Sequence, residues 1–420
     1  MTISVPARSG PVRSSDRLPL FAVTAPGLEP LAAAELRAIG IANPRAEPGG
    51  VAFAGRAEHA YRANLWLRTA SRVVARMGEF HASAFHELER QARRLAWERF
   101  VAPGQPVAFR VTCRKSRLYH SDAVAERLAG ALAQRLGAAP AVELVQRDDA
   151  DGDGGESDAA IGDGGADGGA DREANGVALP PQLFTVRLLH DRCTVSADTS
   201  GALLHLRGYR QAVARAPLRE TLAAAILLGA GWDGTSPLLD PMCGSGTIAI
   251  EGALIARRIA PGAHRRFAFM AWPDFDEARW RELVERAAAS ALPASPVPIH
   301  ASDRDAGATA AAVANAERAG VRADLTIATQ ALSHAEPPAG AGPGLVAANP
   351  PYGVRVGERD RLRNLYAQLG KLLHARFPGW RVALLSADRA LDAQVGVPFE
   401  EALRTTNGGI PVRLAVGVAE

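Results

Sequence analysis

The chain has 420 residues, 47% of them hydrophobic and 22% charged, enough for two to three domains with a core each. Its net charge of +3 hides an uneven distribution: residues 148–176 hold ten acidic side chains and one Arg, so the remainder carries +12, the balance of a protein that meets polyanions. No run of eighteen uncharged apolar residues occurs, the first residues lack the apolar stretch of a signal peptide, and Cys113, Cys193 and Cys243 are too scattered for a disulfide framework or a zinc site, so neither membrane nor metal is expected.

A reducing cytoplasm is the expected compartment. After residues 1–18, expected to be disordered, 20–23 predict a strand, 31–39 a helix closed by Gly40, and 51–53 a second strand. Helices at 61–68 and 83–100 flank a strand at 73–77, which describes a small α+β layer. A further strand from 107 runs into a cationic loop. There Arg110, Arg114, Lys115 and Arg117 stand within eight residues beside Tyr119, a pattern suited to phosphates, although sheet edges also carry such charge. Ser121 or Asp122 can cap the next helix, whose Val124, Leu128, Leu132 and Leu136 recur every four residues. The Asp/Gly-rich tract 148–176 cannot fold by burial and is expected to be a disordered insert, after which 183–189 and 193–198 read as a hairpin. The whole region resembles a THUMP domain, an RNA-binding module of RNA-modifying enzymes, preceded by its ferredoxin-like partner. The resemblance implies domains at 19–80 and 81–200. Arg207, Arg210 and Arg215, at the entrance to the catalytic domain, are further RNA-binding candidates, to which RNA capture moves if the basic loop is only a solvated edge.

Residues 222–228 predict an apolar helix, with Pro217 near its entry. Leu238, Leu239 and Asp240 then form a strand feeding Pro241-Met242-Cys243-Gly244-Ser245-Gly246-Thr247, a glycine turn that opens a helix and admits a ligand close to the backbone. Gly244-x-Gly246-x-x-Ala249 fits a loose dinucleotide fingerprint, but no Lys-Ser/Thr pair follows the last glycine, which disfavours a nucleoside triphosphate. Asp240 would repel a pyrophosphate and suits a cationic amine. S-adenosylmethionine carries that amine and a sulfonium. A strand at 299–303 ends on carboxylates, and Asp303 lies 57 residues beyond Gly246, far from the position of a dinucleotide's ribose acid; an insertion over 261–298 accounts for the gap. Asp303 suits ribose hydroxyls and Asp305 the adenosine, with a helix cap for 306–318 as the plainer role. Gln330 is the polar residue that follows the strand at 325–329. The apolar run 345–348 leads into Asn349-Pro350-Pro351-Tyr352, and 366–377, 380–386 and 410–418 predict a helix and two closing strands.

Asp-Pro-x-x-Gly-x-Gly followed by Asn-Pro-Pro-Tyr resembles the Rossmann-fold methyltransferases that act on exocyclic amines of bases. With Leu206-Arg207-Gly208-Tyr209-Arg210 and Pro217-x-x-Glu220-Thr221, the chain is similar to the guanine-N2 half of the bifunctional bacterial large-subunit rRNA methyltransferases. The fused half that makes 7-methylguanine has no counterpart before Glu420, so that activity is not expected. The fold expected is an α/β class I methyltransferase domain over 201–420, preceded by the ferredoxin-like and THUMP region. The resemblance implies S-adenosylmethionine held by Asp240, Met242, Gly244, Gly246, Thr247, Asp303, Asp305 and Gln330. It implies a guanine of 23S rRNA, naked or early in assembly, whose amine is held by Asn349 and Pro350 while Tyr352 stacks on the ring. Rival readings are an adenine-N6 or tRNA methyltransferase, a nicotinamide-dependent oxidoreductase, and an RNA-binding protein without activity.

Overall fold

Strand β1 (Leu18–Thr24) alternates between core and surface, burying Leu18, Leu20, Ala22 and Thr24 on one face. The computed structural model describes residues 17–144, 179–211, 218–352 and 359–420. The acidic tract, Arg215 and Pro217 lie outside them. After β1 come α1 (Glu29–Ala38), β2 (Arg45–Glu47), β3 (Gly50–Gly55), α2 (Ala57–Trp66) and a long β4 (Ala70–His81). Next are α3 (Phe85–Ala92), β5 (Val107–Arg114), α4 (Ser121–Leu136), β6 (Val142–Leu144), β7 (Gln182–Leu189) and β8 (Arg192–Asp198). These strands form one sheet in the order β2-β3-β1-β4-β8-β7-β5-β6. The reason is the length of β4, whose first residues pair with β1 and whose later ones pair with β8. Residue 80, expected as a domain boundary, therefore falls inside a ladder shared by both halves.

Two local expectations are corrected. The helix expected over 83–100 ends at Ala92, because Trp97 is fully buried against Phe109 and Phe184 and its indole Nε1 donates to the Ala92 carbonyl at 2.8 Å. The cap of α4 is His120, with no side-chain bond, rather than Ser121 or Asp122.

The second sheet begins after α5 (Glu220–Gly229). Its elements are β9 (Leu238–Asp240), α6 (Thr247–Ala256), α7 (Glu277–Ser290), β10 (Ile299–Asp303), α8 (Ala306–Arg318), β11 (Leu325–Thr329), β12 (Leu345–Ala348), α9 (Arg359–Arg376), β13 (Arg381–Ser386), α10 (Arg389–Asp392), β14 (Glu400–Asn407) and β15 (Ile410–Val418). Strand order is β11-β10-β9-β12-β13-β15-β14, parallel except for the closing hairpin β14–β15. β9 and β12 are buried at every residue, as strands covered on both faces must be. The order reverses between these two. A crevice at their carboxyl ends is where such sheets take ligands, and Asp240 and Asn349 both fall there.

The insertion between α6 and β10 packs on the other half of the molecule. Phe269 stacks on Tyr61 of α2 at 4.5 Å between ring centres, Trp280 meets the same ring edge-on at 6.3 Å, and Trp272 donates from Nε1 to Gln182 Oε1 at 3.0 Å. Leu28, at the entry to α1, belongs in turn to the catalytic core. Among the described residues no helix is long and apolar enough to cross a membrane.

Candidate active site

The glycine turn is built by backbone and carboxylates together. Gly244 and Gly246 both take positive φ, 51° and 85°, which an L side chain resists. A Cβ on Gly246 would come within 2.9 Å of Ala312 in α8, whereas one on Gly244 would meet nothing within 4 Å. Gly246 therefore serves helix packing, and Gly244 faces open space that a ligand can enter. Asp303 ties the turn to β10 by accepting from Gly244 N at 3.0 Å through Oδ2 and from Asp305 N at 3.0 Å through Oδ1. Asp240 accepts from Met242 N at 3.2 Å and is 1% exposed. Burial, and then the charge of Asp303, push its carboxyl up to about 8. Thr247 opens α6 and is buried.

Gln330 joins the same cluster through its backbone, whose N–H donates to the Asp303 carbonyl at 2.9 Å. Asp305 is the cap of α8, accepting from Gly307 N at 2.7 Å and Ala308 N at 3.2 Å. The capping role weighed for Asp303 thus belongs to its neighbour. The Cys243 thiol is buried and held far above its ordinary pKa by loss of solvent, so it packs rather than reacts.

Asn349 follows β12 directly, and its Oδ1 is buried without a hydrogen-bond partner. An orphaned amide oxygen in a protein interior is costly and calls for a donor. Pro350 beside it is buried, and the Tyr352 hydroxyl accepts from Asn407 Nδ2 at 2.5 Å. The arrangement fits S-adenosylmethionine: a carboxylate for its amine at Asp240, an open backbone approach at Gly244, carboxylates at the next strand end, and an amide acceptor one strand away. Among the described residues no group of three or more His, Cys, Asp or Glu side chains could hold a metal ion.

Comparison with known proteins decides the family. Residues 207–412 match the RMKL-like methyltransferase domain, 19–74 the RlmL ferredoxin-like domain and 82–148 the THUMP domain. A Synechocystis protein described as a candidate RNA methyltransferase is 33% identical over 402 residues, covering 96% of this chain and 97% of its own length. The chain belongs to the THUMP-containing, Rossmann-fold RNA methyltransferases. The ribosomal RNA large subunit methyltransferase K/L of Methylococcus capsulatus is 34% identical over 94% of this chain, and the chain spans 50% of that relative. A candidate methyltransferase crystallised with S-adenosylhomocysteine superposes with a TM-score of 0.79 at 28% identity, covering 96% of this chain and 99% of the other. A Listeria monocytogenes protein described as a candidate N6-adenine-specific DNA methylase gives 0.80 at 29%, covering 97% of each. S-adenosylmethionine is the cofactor of this methyltransferase.

The cations expected to touch RNA divide into three sets. Arg114, the last residue of β5, and Lys115 and Arg117 on the loop that follows are exposed beside Tyr119, which is 69% exposed with its ring 4.1 Å from that of His120. The loop is held in shape by Arg117 N donating to Asp191 Oδ1 at 2.6 Å and by Ser116 Oγ accepting from Asp191 N at 3.0 Å. Arg110 is half-buried on β5, where its charge acts on Asp198. Arg207 and Arg210 are corrected outright. Arg207 is 8% exposed and donates to the Leu204 and Arg68 carbonyls and to Glu251 Oε1, while Arg210 bonds the Leu218 carbonyl at 2.8 Å and pairs with Glu220 at 3.1 Å. Tyr209 OH donates to the same Glu251 oxygen at 3.1 Å, and Arg68 donates to the Leu254 and Ile259 carbonyls at the end of α6. Arg207 and Arg68 thus join the two halves of the molecule, and Arg210 is tied up within the catalytic half, so neither Arg207 nor Arg210 is a free cationic face.

Two residues of the site went unmarked in the sequence. Asn315 is fully buried in α8 and donates from Nδ2 to the Ser245 carbonyl at 3.1 Å, holding the glycine turn from below. A buried amide on an alanine-rich helix is the signal that could have shown it. Asn407, at the tip of the closing hairpin, gave no signal.

Proposed function

We propose that the chain methylates the exocyclic N2 amine of a guanine in 23S rRNA, taken as naked or early-assembly large-subunit RNA. The large-subunit names of the K/L relatives support the choice of RNA. The observation that carries the amine assignment is the buried, unpartnered Asn349 Oδ1 at the end of β12, beside the glycine turn. A guanine amine is a poor nucleophile because its lone pair is delocalised into the ring. Asn349 Oδ1 and the Pro350 carbonyl accept its two N–H bonds and turn the lone pair toward the cofactor, while Tyr352 stacks on the ring, an interaction worth roughly 1–3 kcal/mol. When bound, S-adenosylmethionine supplies an electrophilic methyl group on sulfonium. Asp240 takes its amine, Gly244 allows the close approach, and Asp303, Asp305 and Gln330 meet the adenosine. Orientation of the two reactants by these side chains gives the rate gain. A paired base has to leave its helix first, which favours loops and unfolded RNA.

In this reading residues 19–80 and 81–200 form the ferredoxin-like and THUMP region that captures RNA, with Arg110, Arg114, Lys115 and Arg117 as its cationic face, and 201–420 form the catalytic domain. The name of the Listeria neighbour favours a second reading, an adenine amine in DNA. Transfer from labelled cofactor to naked large-subunit rRNA, tRNA and DNA in parallel separates them. Label confined to the large-subunit RNA is the expected result, and label in DNA or tRNA alone overturns the proposal.

A further inference from the structure

The hairpin β14–β15 closes the catalytic sheet with a two-residue turn, Gly408-Gly409, and brings Asn407 and Ile410 face to face as its last pair. Both turn glycines take positive φ, 56° and 80°, as a tight hairpin turn of this kind requires. The turn is thus made by the glycines. Asn407 is not among the residues with positive φ, so the turn does not account for its side chain. That side chain leaves the hairpin and donates from Nδ2 to the Tyr352 hydroxyl at 2.5 Å, linking positions 55 residues apart. Tyr352 is half-buried against the catalytic core, and loss of solvent raises its phenol above the usual range, which keeps it neutral and able to accept.

We infer that Asn407 is a positioning residue for the target base, holding the Tyr352 ring in place through its hydroxyl so that the base meets a preset stacking face. The inference rests on the stacking role proposed for Tyr352 and goes beyond it to the hairpin. One end of the ring is set by the backbone that follows Pro350-Pro351, and the other by the hairpin. A ring pinned at both ends does not have to be ordered when RNA arrives, and pre-ordering of this kind strengthens binding without adding a contact. Asn407 itself touches neither the cofactor turn nor Asn349 in the described hydrogen bonds. Its effect is expected on the RNA side of the reaction.

The test is a double-mutant cycle on the full chain. Asn407→Ala and Tyr352→Phe remove the two ends of one hydrogen bond, and each is expected to raise the RNA KM by about five- to tenfold, the effect of one net hydrogen bond. The affinity for S-adenosylmethionine by calorimetry should stay unchanged, and the double variant should be no worse than either single one. Asn407→Asp is expected to restore the RNA KM, because its carboxylate can accept from the same phenol. Additive losses, or a loss in Asn407→Ala that falls on cofactor affinity or on the unfolding temperature, would overturn the inference. Wild-type kinetics in Asn407→Ala alongside an inactive Tyr352→Ala would also overturn it while leaving the stacking role intact. Wild-type kinetics in both would remove Tyr352 from base binding and this inference with it.

Discussion

At the scale of single residues, the cofactor role proposed for the glycine turn is tested most sharply at Asp240. Its carboxyl is buried and raised to about 8, first by loss of solvent and then by the charge of Asp303. A ligand ammonium favours the carboxylate, so binding releases a proton below that pH. Affinity for S-adenosylmethionine should climb from roughly pH 6 to 8, with a slope of up to about one proton per pH unit. Calorimetry in buffers of different ionisation heat reads that proton directly, and a pH-independent affinity would contradict the assignment. Stability of the ligand-free protein runs the other way. The folded state holds this proton more tightly than the unfolded chain does, so the contribution is complete below about pH 4 and is lost as pH rises through about 8. Asp240→Ala should leave the chain folded and abolish cofactor binding, whereas Asn349→Ala should lose methyl transfer and keep cofactor affinity. Wild-type affinity in the first or a wild-type rate in the second would remove that residue from its role. The end of β9 at Asp240 and the turn through Gly244 and Gly246 were legible in the sequence because a turn is made by covalent neighbours. Asn315 and Asn407 were not, since each arrives from a different element through the fold.

At the scale of elements, periodic segments declared themselves and short or diverted ones did not. α8 and β15 lie where the pattern of apolar residues places them. β2 and β6, three residues each, are too short to show a period. α3 stops early because Trp97 is drawn into a core made by β5 and β7, which the local pattern cannot foresee. The insertion between α6 and β10 was visible as a gap in motif spacing, but its destination was not. Its aromatic residues complete the core of the other half. Trp272→Ala removes a buried ring and its bond to Gln182, and should destabilise the protein by about 3–5 kcal/mol. Chemical denaturation followed at both halves should show a common transition moving to lower denaturant. A loss confined to the catalytic half would contradict the shared core.

At the scale of the whole molecule, the arginine charge that points to RNA in the sequence serves two ends. Arg207 and Arg210 pair with Glu251 and Glu220, partners more than nine residues away whose approach only the fold reveals. Burial holds the Glu220 carboxyl up at about 7, which marks how dry this junction is. Arg207→Ala leaves Glu251 buried and short of a partner. It should cost about 3–5 kcal/mol of stability without altering the salt dependence of RNA binding. The exposed loop behaves oppositely. Neutralising Arg114, Lys115 and Arg117 together should weaken RNA binding and flatten its salt dependence by up to about one unit of slope per lost phosphate contact, with cofactor affinity unchanged. An unaltered slope would make the loop a solvated sheet edge. Deleting 148–176 removes nine net negative charges and should leave RNA binding intact or strengthen it. The measurement that bears most directly on the account is nucleoside analysis of naked large-subunit rRNA after incubation with the protein and methyl-labelled S-adenosylmethionine. The account predicts label in N2-methylguanosine, lost in Asn349→Ala; label in N6-methyladenosine, or none in the RNA, would contradict it.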